Sequence, residues 1–459
     1  MKINKIYSAI SVALFATALT ACSSFQEDDL FDESASLRIT KFNEDLQARL
    51  VEQSSEGKHG WVIQYFVGSE SKGYNLFGRF DANGKVTLAS NHPYLRGGNA
   101  NKYTEYVSSY EMLREDGPVL AFNTWNDILT VFVDPVDPSQ APSTIVNDGE
   151  GMKGDNNLLF HAYEDQNILF RGQRHFASIR FVPCDRPWED YIADADAFKK
   201  SITSTTLNSY YVTDGKDTMY FSGLNNGLFT YQERLADPLQ KEPCACVFSV
   251  DGFRLKNKAQ LGEKSFQDFT ISEQKDCLYN EDKTVRVVPT WDYYINDCSS
   301  MWRIQDECFT PEQKELYAKM AAEVVKVNSK YVLDSIAIGR RSETVNGITK
   351  RYPALVACIH GPKKMGKTPT FFPYVNMGIY KPEAGVLKFE TWQKDMPGNA
   401  HMNETFAATE LRSLCEQFAA SVLGTYKMVP NDYFRPTYVS LVPVDGGNTL
   451  QLNLKKIVD

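Results

Sequence analysis

Five acids crowd one stretch rich in proline and glycine, DPVDPSQAPSTIVNDGEGMKGD: Asp134, Asp137, Asp148, Glu150 and Asp155. Two carboxylates facing each other across a cleft can divide the acid and base roles of glycoside hydrolysis. Several carboxylate oxygens in one loop can instead hold Ca²⁺. The spacing of an EF-hand is absent, and Gly149, Gly151 and Gly154 with Asn147 and Asn156 are ordinary turn formers. A turn is therefore the default reading, an ion or ligand loop the next and a catalytic pair the last. No cofactor other than Ca²⁺ is expected.

Aromatic side chains are the second handle. The indoles of Trp125, Trp188, Trp291, Trp302 and Trp392 offer flat apolar faces on which the C–H side of a sugar ring can stack. The same residues are equally at home in sheet cores. Trp188, next to Pro187 and the acids Glu189 and Asp190, is the one expected to stand exposed. Trp188, Trp291, Trp302 and Trp392 are carried forward as candidate ligand-binding residues.

Other catalytic signatures are missing. The six histidines (His59, His92, His161, His175, His360, His401) are scattered, with no His-Glu-x-x-His for a zinc protease. There is no Gly-x-Ser-x-Gly nucleophile turn. Besides Cys22, the cysteines are Cys184, Cys244, Cys246, Cys277, Cys298, Cys308, Cys358 and Cys415. An even number permits disulfides. Free thiols remain open, and a metal is least expected because Cys244 and Cys246 form the only close pair.

GPKKMGKT (Gly361 to Thr368) has the letters of a nucleotide-binding P-loop. Such a loop must open a helix whose N-terminus faces the phosphates. Pro369 and Pro373 bracket the aromatic stretch that follows, and proline opposes a helix there. The segment is read as a basic loop between two strands, with no nucleotide bound. A formal charge of −9 and the lack of a long Lys/Arg run likewise leave no footprint for nucleic acid.

The chain begins MKINKIYSAISVALFATALTACSS, in which Lys2 and Lys5 precede an apolar run from Ile6 to Leu19. This is the order of a secretory signal, too short to span a bilayer. Leu19-Thr20-Ala21-Cys22 resembles the lipobox of bacterial lipoproteins, which implies cleavage before Cys22 and lipidation there. Acyl chains at ~0.8 kcal/mol per buried methylene would hold the protein on a membrane without spanning it. Residues 1–21 are thus a signal peptide and 22–34 an acidic tether whose Glu27, Asp28 and Asp29 resemble a surface-export signal. The expected location is the outer membrane, facing the cell exterior.

The elements that must position these groups can be read from pattern. Ser36 to Gln53 carries Leu37, Ile39, Phe42, Leu46 and Leu50 at helical spacing. Trp188 to Lys200, Thr310 to Val327 and Asn403 to Leu423 repeat that pattern, with Thr310 as N-cap and Pro311 at the first helical position. Between them run strand-like segments joined at Asn83-Gly84, Asp214-Gly215, Asp251-Gly252, Asn346-Gly347 and Asp445-Gly446, the residues tight hairpins favour. The expected fold is α+β and β-rich: antiparallel meanders, barrel- or sandwich-like in the first domain, with a few amphipathic helices on sheet faces. Two domains are expected, 35–187 and 188–459.

Gly60-Trp61, GYNLFGRFDANGKVTLAS, GPVLAFNTWNDILTVFVDP, NDGEGMKGDNNLLF and ILFRGQR together resemble a domain-of-unknown-function family of Bacteroidetes surface lipoproteins. Its genes sit beside SusC/SusD-like uptake pairs and a zinc-binding metallopeptidase. The likeness runs well from Ser36 to Pro183 and thins afterwards. It supplies no catalytic residues, and the family's Gly-Asp-aromatic-Glu-Phe stretch is here Gly154-Asp155-Asn156-Asn157-Leu158. It implies a non-enzymatic accessory that binds glycan or peptide with a SusC/SusD-like pair. The alternative is a surface hydrolase using the acids of residues 134–155.

Overall fold

The computed structural model describes residues 33–68, 72–115, 117–134, 151–203, 209–232, 242–290, 301–345, 348–362, 368, 370–383, 385–391, 400–401 and 404–453. The architecture is β-rich α+β, built from antiparallel sheets that close or curl, with a few helices. By contact it forms two compact units divided between Asp185 and Arg186, apart from Gln64–Asn75, which groups with the second.

In the first unit, helix α1 (Ala35–Gln53) starts where Ser34 Oγ accepts the Leu37 N–H at 3.3 Å. Its stripe buries Leu46 and Leu50, and Phe42 meets Phe160 edge-on at 4.7 Å. Eight strands follow, β1 (Trp61–Phe66) to β8 (Ser178–Pro183), in an up-and-down order that closes on itself. The turn between β2 (Gly73–Phe80) and β3 (Lys85–Ser90) is tied by Asp81 Oδ1, which accepts the N–H groups of Asn83 (2.9 Å) and Lys85 (2.8 Å). Gly84 takes the φ of +79° that this turn needs. An eight-stranded barrel is just wide enough for side chains to fill. Here Phe181 is fully buried and meets Phe170 at 4.9 Å, Phe80 at 6.0 Å and Trp61 at 6.1 Å.

The second unit holds α2 (Trp188–Ile202) and another closed eight-stranded meander, β9 (Ser209–Thr213) to β16 (Arg286–Pro289). Closure comes from β16 returning to β9, with Val287 opposite Val212. Its core is again aromatic, with Phe253, Phe266 and Phe221 around Phe269 at 5.1, 5.3 and 6.4 Å. Phe198 and Ile202 of α2 join that core.

A ten-stranded sheet, β17 (Trp302–Ile304) to β26 (Leu450–Asn453), completes the second unit. Strand β21 (Tyr374–Tyr380) pairs with β19 (Ile348–His360) as well as with its other neighbours, so the sheet curls round. It wraps α3 (Pro311–Val327) and α4 (Leu411–Ser421), whose Met320, Val324, Leu414 and Phe418 share one core with Ile338, Leu355, Met377 and Leu441. Thr310 and Gln313 form the capping box at the start of α3. The last helix begins at Leu411, later than its pattern implies, because a 3₁₀ turn (Glu404–Phe406) occupies the preceding stretch and buries Phe406. After β19 ends at His360 the chain resumes as β20 (Thr370–Phe371), a strand where a P-loop would open a helix; residues 363–367 lie outside the described set.

Position in the barrel decides what an aromatic contributes. Phe181→Ala should cost about 3–5 kcal/mol in denaturant unfolding. Phe176→Ala, at a side chain 60% exposed, should cost no more than about 1 kcal/mol.

Candidate functional site

Two connecting segments of the first barrel are stitched together by buried polar groups. The stretch after β3 carries His92, Tyr94 and Arg96, and the stretch after β5 (Pro118–Phe122) carries Trp125, Asn126, Asp127 and the short helix Thr130–Val133. Asn126 is the knot of the second segment. Its Oδ1 accepts the Ile128 N–H at 3.0 Å, and its amide donates to Ser108 Oγ at 2.8 Å and to the Tyr106 carbonyl at 3.3 Å. Its own N–H donates to Thr130 Oγ1 at 2.9 Å.

His92 joins the two segments. Nε2 lies 2.9 Å from the Ile128 carbonyl, and Nδ1 accepts the Tyr94 N–H at 3.2 Å. That pair of bonds fits the neutral tautomer protonated at Nε2. The ring packs on Phe132 at 4.8 Å, and burial holds its pKa down to about 4.

This frame presents Trp125 on the surface, 45% exposed. The guanidinium of Arg96 lies over its indole, 4.8 Å from the ring centre, and the indole N–H donates to Asp127 Oδ1 at 2.5 Å. Arg96 is held in turn by Asp134 at 2.7 Å. The pair is partly buried, its side chains 28% and 14% exposed. What it does is fix a cation over an aromatic face, an interaction of about 0.5–1 kcal/mol at exposed sites. The result is a partly exposed indole with a guanidinium over one ring face and two carboxylates close by. A ring with an apolar face and hydroxyls on its rim matches that arrangement: the face stacks, and the hydroxyls meet donor and acceptors.

The other predicted site residues fall elsewhere. Trp188 is 2% exposed, which corrects the expectation of an exposed indole. It opens the buried stripe Trp188, Tyr191, Ala195, Phe198, Ile202 of α2, while Glu189 and Asp190 sit in the helix's first turn, favourable to the dipole. Trp302 is also buried, in the core under the curled sheet. Trp291 and Trp392 lie outside the described residues, as do Asp137, Asp148 and Glu150.

Asp155 is 3% exposed and turned inward. Its carboxylate accepts the N–H groups of Arg174 (2.8 Å), His175 (3.0 Å) and Ala177 (3.1 Å), so it clamps the turn between β7 (Asn167–Gly172) and β8. A Cβ on Gly172 would fall 1.9 Å from its Oδ2, so only glycine fits there. The clamp holds Phe176 at a φ of +59°, rare for a bulky residue, with Arg171 4.4 Å from its ring. The described acids of this stretch are thus engaged, Asp134 by Arg96 and Asp155 by backbone. Among the described residues no group of three His, Cys, Asp or Glu side chains converges as a metal site.

Cys244, Cys246, Cys277, Cys308 and Cys415 are free thiols, where disulfides were the leading expectation. Burial pushes Cys244 up to about 11 and Cys415 up to about 12, and raises Cys246 as well. These thiols stay protonated and unreactive near neutral pH.

Asp155→Asn replaces one accepting oxygen by a donor facing backbone N–H groups. It should cost about 1.5–3 kcal/mol in urea unfolding. His92 gives a pH signature. Its pKa is near 4 folded against 6.5 ordinarily, so its contribution is whole above about 6.5 and is lost as pH falls towards 4. The stability gap between wild type and His92→Gln should therefore shrink by about 3 kcal/mol from pH 7 to pH 4, measured by chemical unfolding at each pH.

No curated protein matches the chain by sequence. One solved structure, the DNA polymerase III subunit beta from Pseudomonas aeruginosa, is similar at 8% identity with a TM-score of 0.13, over 91% of this chain and 97% of that one. So low a score carries no argument about fold or function. Residues 27–273, more than half of the chain, match the family model described as "Domain of unknown function (DUF4302)", and the chain belongs to that family.

Proposed function

We propose that the protein is a lipid-anchored lipoprotein of the outer membrane, facing the cell exterior, which binds glycan chains without cleaving them. In this reading it serves a SusC/SusD-like uptake pair in a member of the Bacteroidetes. The observation that carries the binding role is Trp125. The indole is 45% exposed, follows directly on the backbone tied down by Asn126, and carries the Arg96 guanidinium over its ring. A rigid aromatic presented this way loses little conformational entropy on binding. Glycan is favoured over peptide because a single exposed indole is joined to a short polar rim of Arg96, Asp127 and Asp134.

The lipobox at Leu19 to Cys22 and the acidic residues Glu27, Asp28 and Asp29 support the location. Support for a non-enzymatic role comes from the engagement of Asp134 and Asp155 in structural bonds.

Titrating oligosaccharides against the full chain and following tryptophan fluorescence tests the binding role. Trp125→Ala should weaken binding at least tenfold and leave the melting temperature within about 2 °C, since it removes an exposed side chain. Release of shortened sugars from the titrated ligand would overturn the non-enzymatic reading. On intact cells the wild type should be digested by added proteinase and should co-purify with a SusC/SusD-like pair. Cys22→Ala should leave the protein outside the membrane fraction.

A further inference from the structure

We infer a second ligand site, in the second unit and beyond the residues matched by the family model: a cleft that takes a neutral saccharide unit. It has a volume of about 370 Å³, at the small-ligand end of the usual range. Three chain ends meet around it: the start of α3, the end of α4, and the turn between β25 (Tyr438–Pro443) and β26.

The polar lining comes from Thr310, Gln313, Ser421, Thr425, Asp445 and Asn448. Much of it is held in place by bonds within the protein. Gln313 is buried, and its amide donates to Ser421 Oγ at 3.1 Å while its N–H donates to Thr310 Oγ1 at 3.2 Å. The Asn448 amide donates to the Cys308 carbonyl at 2.6 Å, which sets the far wall. Gly446 and Gly447, at φ of +82° and +125°, let the turn fold back beside Asp445. Leu423, Tyr426, Pro443 and Leu450 supply the apolar wall, and the Tyr426 hydroxyl is occupied by the Val422 carbonyl at 3.0 Å.

The chemistry of this lining selects its ligand. Hydroxyls and primary amides both donate and accept, so they match ligand hydroxyls rather than a fixed charge. No lysine or arginine lines the cleft, and its one carboxylate is that of Asp445, which disfavours phosphates, sulfates and uronates. The apolar wall accommodates the C–H face of a ring. A neutral sugar meets all three conditions. This inference stands apart from Trp125, because the cleft shares no residue with that surface.

The test is saturation-transfer NMR and calorimetry on the full chain with maltose, cellobiose, lactose and N,N′-diacetylchitobiose as probes, and galacturonate and glycylglycine as charged controls. At least one neutral sugar should bind saturably. Asp445→Ala and Asn448→Ala, both on an exposed turn, should each weaken it at least fivefold in the Trp125→Ala background, which isolates the cleft. Thr425→Phe, which fills the cleft, should abolish it. The inference is overturned if no neutral sugar binds in that background, if the three variants bind as well as their parent, or if galacturonate or glycylglycine binds more tightly than every neutral sugar. Loss of all neutral-sugar binding in Trp125→Ala, in which the cleft is intact, would sink this site and leave the first one standing.

Discussion

Closure of the sheets is the constraint from which the rest follows. A β-strand at an open edge leaves a row of unpaired N–H and C=O groups, and a closed meander has none. With eight strands, closure fixes an interior that side chains alone must fill. Both meanders meet that demand with phenylalanine, around Phe181 in the first and Phe269 in the second. The interiors are thereby consumed by packing. That leaves the connections between strands and the ends of helices to carry the exposed polar and aromatic groups.

That division explains why the polar knots matter. The connecting segments after β3 and β5 bury Leu95, Ile128, Leu129 and Phe132, and hydrogen bonds fix the backbone between them. His92 and Asn126 play this part behind Trp125, and Asp155 plays it beneath Phe176. In each case a buried polar side chain satisfies several backbone groups at once, so that leaving it out would strand them without partners. Trp125 and Phe176, each outward-facing with an arginine against its ring, sit on these inner anchors.

The acid-rich stretch shows how the same residue type separates by environment. Asp134 and Asp155 both belong to a sequence that reads as a catalytic or ion-binding loop. One is spent on a guanidinium and the other on three amides. A carboxylate already bonded within the protein has fewer lone pairs left for a metal or a substrate. The cysteines follow a parallel logic, since burial keeps Cys246 and Cys415 as thiols that pack like small apolar groups.

Local chemistry made the elements legible in the sequence. Asn83-Gly84 and Asp214-Gly215 announce hairpins because few other residues take those turns, and Thr310-Pro311 announces a helix because cap and fixed φ act within four residues. The helix of Ala35–Gln53 was plain from its spacing, and alternating aromatic runs declared the meanders. The site was much less legible. Trp188 sits among acids and a proline, yet the helical period turns its indole inward, a fact visible only once it is counted with Tyr191, Ala195 and Phe198. Arg96 carries no local signal at all, since its partners Trp125 and Asp134 lie 29 and 38 positions away and reach it because β3 and β5 pair on either side of β4 (Thr104–Arg114). Short-range forces settled which elements form, and the long-range return of strand on strand settled which side chains meet.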